Sequence, residues 1–333
     1  PGNLLVRNMD YDKSFVVTLA SIIISYPSAI ILAYEGFGLY SLVIQKVLES
    51  FIYALGNFIA SNLRLKFFFS RDLLREHLKF GLPFLGSKTS IYWVNSFDNL
   101  IIGSIMGPAS LGLYSRGFAL AVIPSQKIGF TLSSVILSSF ARIKEEKGRV
   151  ERNFLLLINL ILLVVVPFFM VIASGSSEII AIIADAEKWK GTAPILSALT
   201  LVGFAKLLLQ VTHNFLNSQG HSKFDFKLNL SYSVLIILTF ISLVNFDLIT
   251  FSFGYGIVSV LGALVWLILA LRHLKFNSFQ VLFNLVTKVL LAIALSISIY
   301  YLKNWLEFKD WLNFLFITFL EISIWFPLNL LLV

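Results

Sequence analysis

The sequence has 333 residues, of which 58% are hydrophobic and 13% charged, with a mean hydropathy of +0.87 and a net charge of +8. Soluble domains carry about 25% charged residues, so this composition excludes an ordinary soluble protein and predicts a polytopic membrane protein. The absence of cysteine excludes disulfides and thiolate metal sites. The apolar runs are unbroken over about 20 residues, which favours membrane-spanning helices over the alternating strands of a barrel.

Hydropathy predicts an all-α fold, a polytopic transmembrane bundle of about ten helices. In chain order, the predicted spans cover residues 15–33, 37–60, 80–105, 113–140, 153–173, 193–219, 228–246, 248–271, 284–302 and 311–333. A short turn is predicted over residues 107–112. The connection 174–192 has an apolar centre, which predicts a piece lying at the membrane interface rather than a free loop.

Basic residues are distributed unevenly between the two sides of the predicted bundle. Of the 26 lysine and arginine residues, 16 lie in the N-terminal segment and in alternate loops, and 4 lie in the opposite loops. Loops rich in lysine and arginine stay in the cytoplasm, so segments 61–79 and 141–152 are predicted to be cytoplasmic. The positive charge therefore follows from membrane topology and indicates no nucleic-acid partner.

The third predicted span, 80–105, carries polar residues at membrane depth. Lys88, Asn95 and Asn99 share one face of the helix, and Asp98 lies in the same span. A charge at this depth is costly and normally faces a protein interior or a water-filled cavity. The span is therefore predicted to turn a polar stripe toward a cavity.

Four motifs in and after this span resemble those of one family. They are FGLPFLGS at residues 80–87, DNLIIG at 98–103, LGLYSRGFAL at 111–120 and EKWKGTAPIL at 187–196. Their order and spacing are similar to those of bacterial polysaccharide flippases, which belong to the multidrug/oligosaccharidyl-lipid/polysaccharide exporter superfamily. The resemblance covers nearly the whole chain.

The resemblance implies a two-lobe architecture whose N-terminal lobe is incomplete here. Family members usually have about 12 to 14 helices, and the ten predicted spans correspond to helices five to fourteen. Residues 1–60 are then a remnant of the N-terminal lobe, 61–79 a cytoplasmic linker, 80–271 the C-terminal six-helix lobe, and 272–333 two additional helices. We expect the chain to be a fragment of a longer protein.

The resemblance also implies a multi-pass transporter of the bacterial cytoplasmic membrane. Its expected activity is flipping of undecaprenyl-diphosphate-linked oligosaccharide by alternating access, for O-antigen, capsule or exopolysaccharide assembly. Expected partners are this lipid-linked oligosaccharide, membrane lipids, and a polysaccharide polymerase with other assembly proteins. Alternatives are a peptidoglycan-precursor flippase or multidrug/cation antiporter of the same superfamily, or a membrane-bound enzyme of the pathway. The sequence holds no P-loop, metal-ligand spacing or nucleophile motif, so no catalytic residue, cofactor or metal is predicted.

Basic residues outnumber acidic ones inside the predicted spans. Lys88, Arg116, Lys127 and Lys206 are predicted to line a cationic cavity that binds a lipid diphosphate, because guanidinium and ammonium groups pair with phosphate. The alternative for Arg116 is that its side chain extends to the membrane surface. Lys288 is predicted to reach the cytoplasmic surface in this way. The surplus of positive charge argues against an antiporter of cationic drugs.

Three residues, Asp98, His213 and Glu49, are predicted candidates for coupling transport to an ion. Asp98 is either the structural partner of a nearby base or a proton or cation site. His213 is either a packed, hydrogen-bonded residue or a proton carrier. Glu49 stands three residues after Lys46, so the two alternatively neutralise each other. The acidic residue in the last span, Glu321, is isolated in the sequence.

Overall fold

The computed structural model describes residues 10–61, 70, 71, 78, 96–183, 186–306 and 310–330. These residues form helices with short connections and include no strand, which confirms the predicted all-α class. The chain divides into two compact units, Pro1–Phe84 and Leu85–Val333.

The first unit contains an antiparallel helix pair, α1 (Tyr11–Tyr34) and α2 (Leu39–Ala60). The connection includes Gly36, whose φ of +87° lies in the left-handed region that glycine adopts without strain. A Cβ placed on Gly56 would stand 2.8 Å from a methyl carbon of Val17. The small residue therefore lets the two backbones approach closely, as in many membrane helix pairs.

The described part of the second unit begins with a helical segment, 96–106, whose last turn, Ile102–Met106, is π-helical. Nine helices follow in the described residues: α3 (Gly107–Arg142), α4 (Lys147–Ser174), α5 (Ser176–Ile183), α6 (Ala186–Trp189), α7 (Thr192–Ser218), α8 (Ser222–Leu243), α9 (Leu248–His273), α10 (Ser278–Leu306) and α11 (Asp310–Leu330).

Seven helical stretches of the described chain are long and apolar enough to cross a membrane, against ten predicted spans. Residues 96–142 count once among the seven, although the chain reverses within them. In α10 only the shorter stretch Phe283–Ser298 is apolar enough. Residues 80–95, the first part of the third predicted span, lie outside the described residues.

The chain reverses direction at Gly107, between the segment 96–106 and α3. Gly107 has a φ of +88°, and Pro108 follows in the first turn of α3, where its missing N–H costs no hydrogen bond. A Cβ on Gly103 would stand 3.0 Å from Leu111, so the segment folds back against α3. The turn predicted over residues 107–112 is therefore wrong in extent. One glycine makes the reversal, and the proline starts the helix at once.

Helices α3, α7 and α9 form the centre of the second unit. A Cβ on Gly203 of α7 would overlap the carbonyl oxygen of Ala121 in α3. A Cβ on Gly256 of α9 would stand 2.8 Å from the carbonyl oxygen of Ala198 in α7. Glycine thus brings three backbones into direct contact, and most of α7 is buried between its neighbours.

The short helices α5 and α6 occupy the connection 174–192. Ile180 of α5 is buried, whereas Ile182 and Ile183 are exposed. Helix α5 packs against α7 and α11. The described residues of the connection are therefore largely helical, and its placement at the membrane interface stays a prediction.

The last two helices, α10 and α11, pack against α4. Trp325 of α11 is fully buried, and its indole N–H donates to the carbonyl oxygen of Leu163 at 2.8 Å. That carbonyl has no helical partner because the residue four positions later is Pro167, which lacks an N–H. Helix α11 thus supplies a hydrogen bond that α4 cannot make by itself.

Candidate functional site

A buried carboxylate lies in the segment 96–106, next to the π-helical turn. Asp98 is 3% exposed; its Oδ2 accepts a hydrogen bond from the hydroxyl of Tyr114 at 2.8 Å, and its Oδ1 accepts one from the backbone N–H of Asn99 at 2.8 Å. Asp98 precedes Gly107 by nine residues and Tyr114 follows it by seven. At 1.5 Å per residue they lie about 13 and about 10 Å from the reversal, so the hairpin brings them side by side.

A lysine from α7 approaches the same carboxylate. The ammonium of Lys206 stands 5.0 Å from the ring centroid of Phe118, which itself stacks on Tyr114. Lys206 is near enough for its charge to act on Asp98, although no ion pair within 4.0 Å joins Lys206 to any described residue. A buried anion and a nearby cation therefore offset each other across an aromatic layer.

Two tyrosines complete what we call the Asp98 cluster: Asp98, Tyr114, Lys206 and Tyr255. Tyr255 of α9 is 6% exposed, and its ring meets Phe240 edge-on at 4.7 Å. A carboxylate in such surroundings can take up a proton or a small cation, which removes its negative charge and leaves the lysine uncompensated. The adjacent π-helical turn fits this interpretation, because such turns occur frequently at functional sites.

Sequence reasoning finds Asp98 and Lys206 but does not single out the tyrosines. Tyr114 belongs to the LGLYSRGFAL motif, and a reversal at Gly107 would have placed it opposite Asp98. Tyr255 reaches the cluster from α9. No local pattern signals that approach, because it depends on how α9 packs.

The other described cations of the predicted cavity lie on a different face of α3. Arg116 and Lys127 are both exposed, and eleven residues of separation put them within about 20° of each other. The Arg116 guanidinium carbon stands 5.7 Å from the ring centroid of Trp189. Phe118, under the Lys206 ammonium, is two residues from Arg116 and so about 160° around the helix. The described residues therefore do not bring Lys206 together with the other two, and diphosphate binding by any of them stays a prediction.

Of two further predicted residues, Glu49 and Lys88, the structure describes Glu49. Glu49 of α2 accepts hydrogen bonds from Lys46 and Gln45, each at 3.0 Å. This geometry favours mutual neutralisation with Lys46, which was the alternative to ion coupling. Lys88 lies outside the described residues.

His213 lies on α7, five residues before that helix ends, and pairs with the first turn of α8. Its Nδ1 stands 2.7 Å from Oδ2 of Asp225, and the Asn217 amide donates to the His213 carbonyl at 2.9 Å. The contact favours the packed, hydrogen-bonded alternative, and proton transfer by His213 stays a prediction. In the described part of the chain, no three His, Asp or Glu side chains are grouped so that they could hold a metal ion.

Two buried charges were misjudged from the sequence. Lys288 is 4% exposed and donates to Oδ1 of Asn159 at 3.1 Å, so the prediction that it reaches the cytoplasmic surface is wrong. Helix α10 begins at Ser278, ten residues earlier, which puts Lys288 about 15 Å from the helix end. Glu321 is fully buried and accepts a hydrogen bond from the Ser174 hydroxyl at 2.6 Å. It is therefore not isolated in the structure.

Comparison with known proteins places the chain in a family. Residues 1–194, more than half of the chain, match the family described as polysaccharide biosynthesis protein. The chain belongs to this family. The matched residues include Asp98 and Tyr114, whereas Lys206 and Tyr255 follow them.

Part of the chain is similar in sequence to proteins named for polysaccharide biosynthesis. It is 26% identical over 216 residues to the teichuronic acid biosynthesis protein TuaB of Bacillus subtilis, which covers 64% of the chain and 44% of TuaB. It is 22% identical over 169 residues to the lipopolysaccharide biosynthesis protein WzxC of Escherichia coli, which covers 51% of the chain and 34% of WzxC. The chain thus spans less than half of the length of these two relatives.

The fold is similar to that of a solved structure, the lipid II flippase MurJ in an inward closed conformation. The TM-score is 0.64 at 17% identity, over 92% of this chain and 65% of MurJ. At this identity the likeness shows the fold alone. Together with the family and the seven candidate spans, it identifies a multi-pass protein of the bacterial cytoplasmic membrane.

Proposed function

We propose that the protein moves a lipid-linked oligosaccharide, carried on undecaprenyl diphosphate, across the cytoplasmic membrane by alternating access. The observation that carries this proposal is the membership of a multi-pass chain in the polysaccharide biosynthesis protein family. The relatives named above serve teichuronic acid and lipopolysaccharide biosynthesis, which supports a cell-surface polysaccharide as the end product. The MurJ-like fold supports a lipid-linked cargo.

In this proposal the Asp98 cluster couples transport to a cation. While Asp98 is ionised, its charge offsets that of Lys206. When Asp98 takes up a proton or a metal cation, the positive charge of Lys206 is no longer offset and attracts the substrate diphosphate. Cation and anionic substrate then favour each other's binding by the same factor, as linkage requires.

The exposed cations of α3 form a second contact region for the diphosphate in this proposal, separate from Lys206. Arg116 and Lys127 share one helix face, and neither forms an ion pair within 4.0 Å with a described residue. Cations without acidic partners are available to an anionic ligand. Arginine adds a forked pair of donors that suits phosphate.

Transport of a labelled lipid-linked oligosaccharide into liposomes that contain the full-length protein tests the proposal. Asp98→Asn keeps the size of the side chain but removes the charge, so transport should fall by roughly 10- to 150-fold, the value of a lost charged contact. Glu146→Gln is the matched control, because Glu146 is exposed and pairs only with Arg149 at the surface among described residues. Wild-type rates in Asp98→Asn would rule out the coupling role. A wild-type protein that moves no lipid diphosphate under any ion gradient would rule out flipping.

The second candidate is a peptidoglycan-precursor flippase, which the likeness to MurJ favours. Competition between labelled polysaccharide precursor and unlabelled peptidoglycan precursor separates the two, because only a true substrate competes at micromolar concentration. A membrane-bound enzyme of the pathway would return a chemically altered lipid, whereas a flippase returns the same molecule on the other side.

A further inference from the structure

An apolar groove runs along the outer surface of α8 and α9. Its volume is about 370 Å³. The groove is lined on α8 from Leu228 to Leu235 and on α9 from Val258 to Leu269. Three of the α9 residues, Leu261, Val265 and Leu269, repeat every four positions and are 57%, 53% and 40% exposed. The groove is thus a continuous apolar surface on one side of a helix pair.

The length and depth of this groove match one leaflet of a bilayer. From Val258 to Leu269 the helix rises about 16 Å, close to half of a hydrocarbon core of about 30 Å. Leu269 lies four residues, about 6 Å, before the end of α9 at His273, which the loop charges place on the cytoplasmic side. The groove therefore begins where the headgroup region of the inner leaflet ends.

Basic side chains stand at the cytoplasmic mouth of the groove. Arg272 follows Leu269 by three residues on the same side of α9, and Lys227 is one turn before Ser231 on α8. Both are exposed, and among the residues that the structure covers neither has an acidic partner within 4.0 Å. Two free cations at the headgroup level complement an anionic lipid.

We propose that this groove holds an anionic phospholipid of the inner leaflet, with one acyl chain between α8 and α9 and its phosphate at Lys227 and Arg272. The one-leaflet length favours an acyl chain over a polyprenyl chain, which is much longer than one leaflet. The groove shares no lining residue with the Asp98 cluster, and the proposal does not depend on what is transported.

Native mass spectrometry of the purified protein with added lipids tests this site. Phosphatidylglycerol should be retained in preference to phosphatidylethanolamine. The double variant Lys227→Gln/Arg272→Gln should retain about 30-fold less phosphatidylglycerol, since each cation near a membrane surface contributes about 1 kcal/mol. The double variant Arg142→Gln/Lys147→Gln removes two exposed charges from the same side of the membrane and should bind like wild type.

Two further variants probe the groove itself. Val265→Trp on α9 fills it and should displace the lipid, whereas Ile241→Trp adds the same ring at an exposed position of α8 outside the groove and should not. Equal retention of the two phospholipids, or unchanged retention in the Lys227→Gln/Arg272→Gln variant, would refute the proposal. So would tighter binding of undecaprenyl phosphate that depends on the same residues, since the groove would then belong to the substrate.

Discussion

The hydrogen bond from Trp325 to Leu163 yields a quantitative prediction about how α11 stabilises the protein. Replacing Trp325 by phenylalanine keeps an aromatic ring but removes the indole N–H that donates to the Leu163 carbonyl, which Pro167 has already deprived of its helical partner. A buried acceptor left without a partner costs about 1–3 kcal/mol. The smaller ring adds a cavity cost, which has to be separated from the hydrogen bond.

A double-mutant cycle makes this separation. Pro167→Ala restores an N–H at the position that normally bonds to the Leu163 carbonyl, so the indole donor becomes redundant. In the Pro167→Ala background, Trp325→Phe should then lower the free energy of unfolding only by the cost of the cavity. The coupling energy between the two substitutions should be about 1–3 kcal/mol. For a unit of this size, 1 kcal/mol shifts the melting temperature by about 2–4 °C, so the difference between backgrounds is about 2–12 °C.

Thermal unfolding of the four purified variants in delipidated detergent measures this coupling. Trp266→Phe supplies the matched control, because the indole N–H of Trp266 makes no hydrogen bond to a described residue and only ring size is lost. An equal loss of melting temperature for Trp325→Phe in both backgrounds would show that the indole contributes packing alone, and the link between α11 and the proline of α4 would be refuted.

Three other predictions follow from the described residues. Cysteines at Lys147 and Lys190, both exposed in a chain without native cysteine, should react with impermeant reagents from opposite sides of the membrane; reaction from one side only would refute the topology. Lys127→Gln should weaken binding of a lipid diphosphate by roughly 10- to 150-fold at unchanged melting temperature. Lys206→Gln should also lower the melting temperature, because the buried Asp98 carboxylate loses its nearby cation. Equal thermal stability of the two variants would contradict this. Burial and the facing histidine lower the pKa of His221 below its usual 6.5, so its neutral form stabilises the fold above pH 6.5 and this stability is lost as the pH falls below that value. The melting temperature should therefore fall more between pH 7.5 and 5.5 in wild type than in His221→Gln, and parallel curves would refute the assignment.

The sequence was sufficient to predict which segments are helical, because hydropathy is a local property. Runs of about 20 apolar residues predict a span whatever surrounds them, and family motifs reinforced the assignment of 80–196. Boundaries were less certain, with consequences for single residues. Predicting that the ninth span begins at 284 placed Lys288 near a helix end, whereas the helix begins at Ser278 and the ammonium is bonded to Asn159.

Contacts between helices could not be predicted in the same way. Any proline within a helix leaves the carbonyl four residues earlier without its N–H donor. The missing helical hydrogen bond at the Leu163 carbonyl therefore follows from Pro167 alone. The donor, Trp325, lies 162 residues away, and no local pattern identifies it. Likewise, helical periodicity predicts on which face of its own helix Arg116 or Lys206 lies. It does not predict which neighbouring helix that face contacts.

The packing of the second unit indicates where movement can occur in the proposed transport. Backbone contact at Gly203 and Gly256 joins α3, α7 and α9 into a block that cannot slide without a steric clash. The segment 96–106 ends in a π-helical turn, reverses at Gly107 and is joined to α3 by the hydrogen bond between Asp98 and Tyr114, and its Ile102 is fully buried. Loss of charge on Asp98 would weaken that charge-assisted bond, which is roughly twice as strong as a neutral one. In the proposed mechanism, a cation bound at Asp98 would therefore act directly on the segment that carries it.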